Sequence, residues 1–432
     1  MDNAMLAQSL ANLDAWLESM RQAGGYGGPV IHIWRSNLLY CGPMLDWRYE
    51  GIILGYLELH RKTGNNRWLE RAKQAGHDLV SGQYSCGQFK NSSFERGPLP
   101  GGTPHEASVD IALLSLARLL EEKGDPSWQI FHEKAVKNIE GYLLKHLWTG
   151  KYFKNLPDDD FWVANKSATI IEALLRYHDF LSTEDTKYAD KIMKIVALAA
   201  ESILRLQHPN GGIAQSSVRG DAHTLYTARC TWPLLLLHTV TLRPEYREAA
   251  RKAADFLVSL SCPEGGFYQV QYKNGETGKY PVWVAGCGDI LYGLSQLAGK
   301  NDGLVETNSE WMLSHQDVCG GIRVSQGFGF WAGNRGGGRH PDFGDVLHVC
   351  GWNDKAFRFL ATQLPEGQKI PEPATQPCQI ECMFGNTKAI YLEDDQKISV
   401  QAIKSKKILY HWGKSEKWAR LAKYPESYRK LL

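Results

Sequence analysis

The chain writes one helical phrase six times, and that repeat limits what it can fold into more than any other feature. The first copy is Met44–Gly64, MLDWRYEGIILGYLELHRKTG, in which polar and aromatic residues lead into an apolar helix that stops at glycine. Beneath it align PHEASVDIALLSLARLLEEKGD from Pro104, VANKSATIIEALLRYHDFLSTED from Val163 and TARCTWPLLLLHTVTLRPE from Thr227. AGCGDILYGLSQLAGKND from Ala285 and VCGWNDKAFRFLATQLPE from Val349 complete the set. The residues heading the apolar runs are Glu50, Asp110, Ala168, Thr231, Asp289 and Asp354, about 60 residues apart, a period that marks a repeat architecture.

Each apolar run is followed by an amphipathic one, so the pattern predicts a buried inner helix and an outer helix with a single covered face. The outer partners read as 65–80, 126–146, 186–207, 244–261 and 303–315, and the N-terminal helix over 4–22 supplies the sixth. Six inner and six outer helices predict an all-α (α/α)6 barrel over residues 1–364. The outer helices end in related turns, SGQYSCGQF, RLQHPNGGI, SLSCPEGGF and LSHQDVCGGI, whose glycines allow left-handed or closely approached backbone. The unit ending LWTGKYF keeps only Gly150. After Leu364 comes a proline-bearing linker, then an alternating stretch that predicts two or three strands, so 365–432 reads as a linker with a small β-rich C-terminal extension.

With 43% hydrophobic and 22% charged residues, the 432-residue chain has the balance of a globular protein with a sizeable core. A net charge of +2 offers no electrostatic case for nucleic acid. No stretch approaches the ~20 apolar residues of a membrane span. The N-terminal segment has neither the basic start nor the apolar run of a secretory signal, and the nine cysteines are odd in number and scattered. These features predict a cytoplasmic protein with reduced thiols. Cys378 and Cys382, without a second pair, read as structural, so neither a metal nor an organic cofactor is expected.

The double-helix unit, with HRKTGNNRWLERAKQAGHDLV and the QxxxGG turn, resembles the six-hairpin glycosidase superfamily of (α/α)6 toroids. That group includes unsaturated glucuronyl hydrolases, related glycoside hydrolases, sugar epimerases and the toroid parts of some polysaccharide lyases. The resemblance implies a ligand funnel at the N-terminal ends of the inner helices. QHPNGG and HQDVCGG also resemble turns of terpenoid cyclases and protein prenyltransferase β subunits, although a DxDD motif is missing and Asp158-Asp159-Asp160 lacks its spacing. GCGDILYGL resembles a turn of lanthipeptide cyclases, without their Cys-His zinc pair.

Within such a funnel the acids at the heads of the runs draw attention. Asp46/Glu50 and Glu106/Asp110 are i,i+4 pairs, which would share a helix face. Helix capping is the ordinary use of such acids, but a ring of them would raise one another's pKa and supply a proton donor. Glycoside hydrolysis needs one carboxyl as acid and another as base or nucleophile. The expected acid/base set is therefore Glu106 and Asp110 with Asp46 or Asp289, and His105 stands beside Glu106. RGDAHTLYTARC offers Asp221, His223, Tyr226 and Arg229, a group suited to β-elimination next to a carboxylate. DDDFWVANK offers Trp162, Asn165 and Lys166. Trp47, Trp283 and Trp352 lie near inner-helix starts, where they could stack on sugar rings, with Glu50 and Asp354 as further ligand contacts. The glycine-rich stretch after Gln326 carries Trp331 and reads as a lid or substrate wall. The expectation is a carbohydrate-active enzyme, a monomer or homodimer, hydrolysing an oligosaccharide that can include uronate. Lyase or epimerase chemistry stands close behind. A terpenoid-cyclase-like enzyme with an aromatic, isoprenoid-binding cavity is the alternative.

Overall fold

The structure is a computed structural model that describes residues 2–30, 40–93, 99–101, 103–297, 299, 301–327, 344–384 and 387–421. The inner helices are α2 (Arg48–Thr63), α4 (Thr103–Glu122), α6 (Ala164–Glu184), α8 (Thr224–Thr241), α10 (Cys287–Ser295) and α12 (Cys350–Gln363). The outer ones are α1 (Asn3–Ser19), α3 (Asn66–Ser81), α5 (Trp128–Asn138, continued by a π-helical turn to Leu147), α7 (Thr186–Leu204), α9 (Pro244–Ser259) and α11 (Asp302–Leu313). Each inner helix packs on the next and α12 packs back on α2, so the inner ring closes. Each outer helix covers its own inner helix, and α1 covers α12, as the repeat predicts.

Burial follows the sequence pattern. Every residue of α12 from Cys350 to Ala361 is buried, whereas α3 buries only Trp68, Leu69, Ala72, Ala75, Gly76 and Leu79. Glycines let the inner helices come close. A Cβ on Gly51 would stand 2.4 Å from the Asp354 carbonyl oxygen, and one on Gly288 would stand 2.4 Å from the Lys355 backbone.

The QxxxGG turn has a definite job. Gln83, Gln207 and Gln316 each donate twice through their carboxamides. One bond goes to the turn glycine's carbonyl (Gly87, Gly211, Gly320), the other to a backbone carbonyl on the next outer helix (Lys134, Ala249, Ser9). At Gly211 and Gly320 the backbone is left-handed and a Cβ would overlap carbonyls of Lys252 and Asn12, so only glycine fits. The turn ends with a residue whose N–H is taken by an inner helix: Ile213 donates to Thr227 Oγ1, Ile322 to Asn353 Oδ1, and Phe89 to Glu106 Oε2. Glutamine and turn together bolt one hairpin to its neighbour.

The C-terminal segment forms an antiparallel sheet of five strands, Cys378–Phe384, Thr387–Glu393, Lys397–Ala402, Ile408–Gly413 and Arg420–Leu421, ordered as in sequence. That is more strand than the two or three the alternation predicts. The sheet docks on the sixth hairpin, where Trp16 of α1 donates to Glu393 and Lys414 donates to Ser19. Among the described residues no helix is long and apolar enough to cross a membrane.

Candidate active site

Five of the six inner helices send charged or polar side chains into one buried network. Glu50 of α2 accepts from Arg229 of α8 at 2.7 and 3.0 Å and from Arg358 of α12 at 2.6 Å. Glu172 of α6 accepts from Arg176 at 2.8 Å and from Trp232 Nε1 at 3.2 Å, and Arg229 stands 3.5 Å from its other oxygen. Thr169 accepts from Arg229 Nε at 3.0 Å, and the Arg358 guanidinium lies 4.0 Å over the Tyr292 ring of α10. Arg229, Arg358, Trp232, Tyr292, Gly293 and Asp289 line a small pocket.

Beside this network Lys355 Nζ lies 2.8 Å from Asp354 Oδ2 and 5.2 Å over the Trp47 ring. The tryptophans form a continuous wall across three helix starts. Trp352 meets Trp47 edge-on at 4.9 Å and stacks on Trp283 at 4.8 Å.

Charge and burial set the protonation states. Burial alone would push the Glu50 carboxyl up, but Arg229, Lys355 and Arg358 overrule it and hold Glu50 well below the usual carboxylate range. Glu172 is likewise lowered against burial, by Arg176, Arg229 and Arg358. Asp354 goes the other way. Burial pushes it up to about 7 against the pull of Lys355, with Asp289 and Glu50 adding to the rise. Asp289 is the acid of this group that keeps partial exposure.

The structure thus brings together Glu50, Arg229, Asp289, Asp354, Trp47, Trp283 and Trp352 from the residues singled out in sequence, whereas Asp46 and Glu106 are held by other partners. Asp46 precedes α2, so the i,i+4 argument pairing it with Glu50 on a helix fails. Its carboxylate is spent on Arg48, 2.7 Å away, whose guanidinium also bonds the Tyr26 and Gly27 carbonyls. Glu106, like Thr227 and Asn353, is the fourth residue of its inner helix and takes a turn N–H. It accepts from Phe89 N, Ser92 Oγ and Asn138 Nδ2, and therefore faces the outer layer. Burial pushes Glu106 up to about 8. Asp110, one turn on, is buried with no hydrogen-bond partner among the described residues and is raised by burial and by Glu106. Neither touches the Glu50 network.

His223 caps the start of α8, with its ring 5.0 Å from Tyr226. Asp221 accepts from Lys273 N at 3.0 Å. Trp162 donates to the Ser202 carbonyl and packs on Tyr152. Asn165 and Lys166 open α6. Trp331 and the His105 side chain lie outside the described residues.

Sequence reasoning missed Glu172, Trp232, Tyr292, Lys355 and Arg358, which lie on the same helices, several of them one turn further in. Their signal was present: IIEALLRY and KAFRFLA are apolar runs interrupted by charges that a helix buried on all sides must pair internally.

No protein-family model matches the chain, and no curated protein matches it in sequence. Solved structures do match. The unsaturated glucuronyl hydrolase of Bacillus sp. GL1 is 12% identical with a TM-score of 0.58, over 84% of this chain and 97% of that one. The cellobiose 2-epimerase of Bacillus thermoamylovorans is 12% identical with a TM-score of 0.60, over 84% and 100%. A D-mannose isomerase is 11% identical with a TM-score of 0.57, over 83% and 97%. At such identities the likeness carries the architecture alone, and the chain has the (α/α)6 toroid fold of the six-hairpin glycosidase-like proteins.

Proposed function

We propose that the chain is a carbohydrate-active enzyme, foremost a glycoside hydrolase, whose ligand meets the tryptophan wall and Asp289. The observation that carries this is the juxtaposition of Trp47, Trp283 and Trp352 with the acids and bases of α2, α8, α10 and α12. Flat indole faces take up the apolar face of a sugar ring, and charged groups beside them hold hydroxyls and move protons. In this reading Asp289, partly exposed and lining the pocket, is the carboxyl that reaches the glycosidic bond. Asp354, pushed up to about 7 by burial, is the proton reservoir behind it, and Lys355 interacts with both. Acid/base hydrolysis uses a pair of carboxyls, and Asp289 with Asp354 supplies that pair here.

The same site speaks against the isoprenoid alternative, because a carbocation cavity is dry and aromatic and this one is lined by ion pairs. Arg229, grouped in the sequence with Asp221, His223 and Tyr226 for β-elimination beside a carboxylate, is engaged by Glu50 and Glu172.

The test is turnover of a panel of neutral and unsaturated uronyl oligosaccharides, followed by reducing-end release and by proton NMR of the anomeric signals, for wild type and Asp289→Asn. Hydrolysis lost by at least about 100-fold in Asp289→Asn, with an unchanged melting temperature, supports the assignment. Epimerised rather than cleaved product would keep the site and change the reaction. Wild type and Asp289→Asn turning over the same substrate equally would remove Asp289 from the chemistry.

A further inference from the structure

Away from the barrel axis, the sixth hairpin and the C-terminal sheet converge on a second constellation. Cys319 lies in the turn after α11, and His348 lies two residues before α12. Cys378 and Glu393 come from the first two strands of the sheet. Cys319 Sγ is 3.7 Å from both His348 Nδ1 and Glu393 Oε2, and those two atoms are 2.7 Å apart. The Cys378 side chain interacts with the Cys319 thiol and pushes it up. Cys319, His348, Cys378 and Glu393 are 9%, 0%, 3% and 2% exposed.

We propose that Cys319, His348, Cys378 and Glu393 bind a structural zinc ion that clips the C-terminal sheet to the barrel. Two sulfurs, an imidazole nitrogen and a carboxylate oxygen form a donor set that suits zinc and not magnesium or calcium. In a tetrahedral site with these bond lengths, ligand atoms stand about 3.5 Å from one another. Both separations of Cys319 Sγ already lie near that value, and among Cys319, His348 and Glu393 the His348–Glu393 pair is the one that has to open, by about 0.7 Å, with Cys378 closing in as the fourth ligand. All four ligands come from protein and all are buried, which is the closed form of a structural site.

The surroundings are organised as metal ligands require. His348 Nε2 meets Asp317 Oδ2 at 2.8 Å, and Asp317 is gripped by Arg323 through two bonds of 2.8 Å. A carboxylate on one ring nitrogen fixes the tautomer and turns the other nitrogen to the metal. Glu393 is oriented by Trp16 Nε1 at 2.8 Å, Lys414 Nζ at 3.1 Å and the Tyr391 hydroxyl at 2.6 Å. An imidazolium held between two carboxylates would account for His348, Asp317 and Glu393. It would not account for the Cys319 thiol brought against both His348 and Glu393. Binding releases the two thiol protons and the Nδ1 proton of a charged His348, while the Nε2 proton stays on its bond to Asp317. No electrons move. Two thiolates, one carboxylate and Zn²⁺ leave a single negative charge, which faces Lys414. His348 leads directly into α12, so the clip would also anchor the helix that carries Trp352, Asp354 and Lys355.

The experiment uses the full chain purified without chelator or metal-affinity tag. We expect plasma mass spectrometry to find about one zinc per chain, and chelation to lower the melting temperature until zinc is restored. Cobalt(II) added to the stripped chain should give a thiolate-to-metal charge-transfer band. Asp317→Ala should weaken zinc binding by about 10–100-fold, and the double change Cys319→Ser with Cys378→Ser by more. The cobalt spectrum of the wild type needs no variant to fold. A folded chain that purifies without zinc, shows no thiolate band with cobalt and keeps its melting temperature when zinc is added would overturn the proposal.

Discussion

Glu106→Gln separates an architectural carboxyl from a catalytic one, because the two roles predict opposite experiments. Glu106 is buried and raised from 4.5 to about 8, so the folded protein holds its proton at pH 7. A group with a raised folded pKa contributes its stability fully below the unfolded value, near 4.5, and loses it as pH rises through about 8. The shift of about 3.5 units corresponds to roughly 4–5 kcal/mol at 1.36 kcal/mol per unit. Glutamine copies the neutral acid: its carbonyl can accept from Phe89 N and Asn138 Nδ2, and its amide can donate to Ser92 Oγ. Glu106→Gln should therefore cost little at pH 5 and gain on wild type by about 4 kcal/mol between pH 5 and 8.5. For 432 residues at ~2.1 cal/mol/K each, the unfolding entropy is about 0.9 kcal/mol/K, so the melting temperatures should diverge by about 4 °C over that range. Differential scanning calorimetry across pH is the assay. Parallel melting curves at all pH values, together with abolished turnover, would refute the argument and return Glu106 to the chemistry.

The other expectations rest on the same contacts. Arg229→Met leaves Glu50 and Glu172 buried with fewer partners and should cost about 3–5 kcal/mol, read as a fall of about 3–5 °C in melting temperature. Gly55→Ala reverses the usual sign of a helical substitution. Alanine normally gains up to about 1 kcal/mol, but here a Cβ would meet the Phe357 ring at 2.5 Å, so a loss of about 1–3 kcal/mol is expected by calorimetry. Gln207→Ala removes one bond within the turn, to Gly211, and one to Ala249 of the next outer helix, and should cost about 1–3 kcal/mol, with amide exchange rising first around Gly211–Ile213.

The architecture was legible because periodicity reports burial, and burial is what closes a toroid. Runs apolar on every side had to be inside, runs apolar on one stripe had to lie over them, and the count left the N-terminal helix to finish the ring. The turns were legible for a different reason. A left-handed glycine four residues after glutamine is needed where the turn backbone docks against the next helix, as the Gly87, Gly211 and Gly320 contacts show. What failed was the facing of single side chains. Spacing put Asp46 with Glu50, but the helix begins at Arg48, where Asp46 is already tied to the Arg48 backbone and guanidinium. Spacing also grouped Glu106 and Asp110 with the acids of the axis, whereas Glu106 belongs with Thr227 and Asn353 in a series that shares geometry and no chemistry.

A charge inside a buried helix carries more information than a charge at its start. At a helix start an acid has cheap local uses, in capping and in the dipole, so Glu50, Asp46 and Glu106 looked equivalent. In the middle of an all-buried run no local use exists, and the charge must find an opposite one on another helix or remain a large cost. Glu172 and Arg358 satisfy that demand across the barrel through Arg229 and Glu50. Such residues therefore mark where inner helices face one another. They point to the axis even where the acids at the helix heads point elsewhere. Read this way, ATIIEALLRY and NDKAFRFLA locate the centre of this toroid more securely than the ring of acids does, and the ligand-facing carboxyl to test is the one that borders them, Asp289.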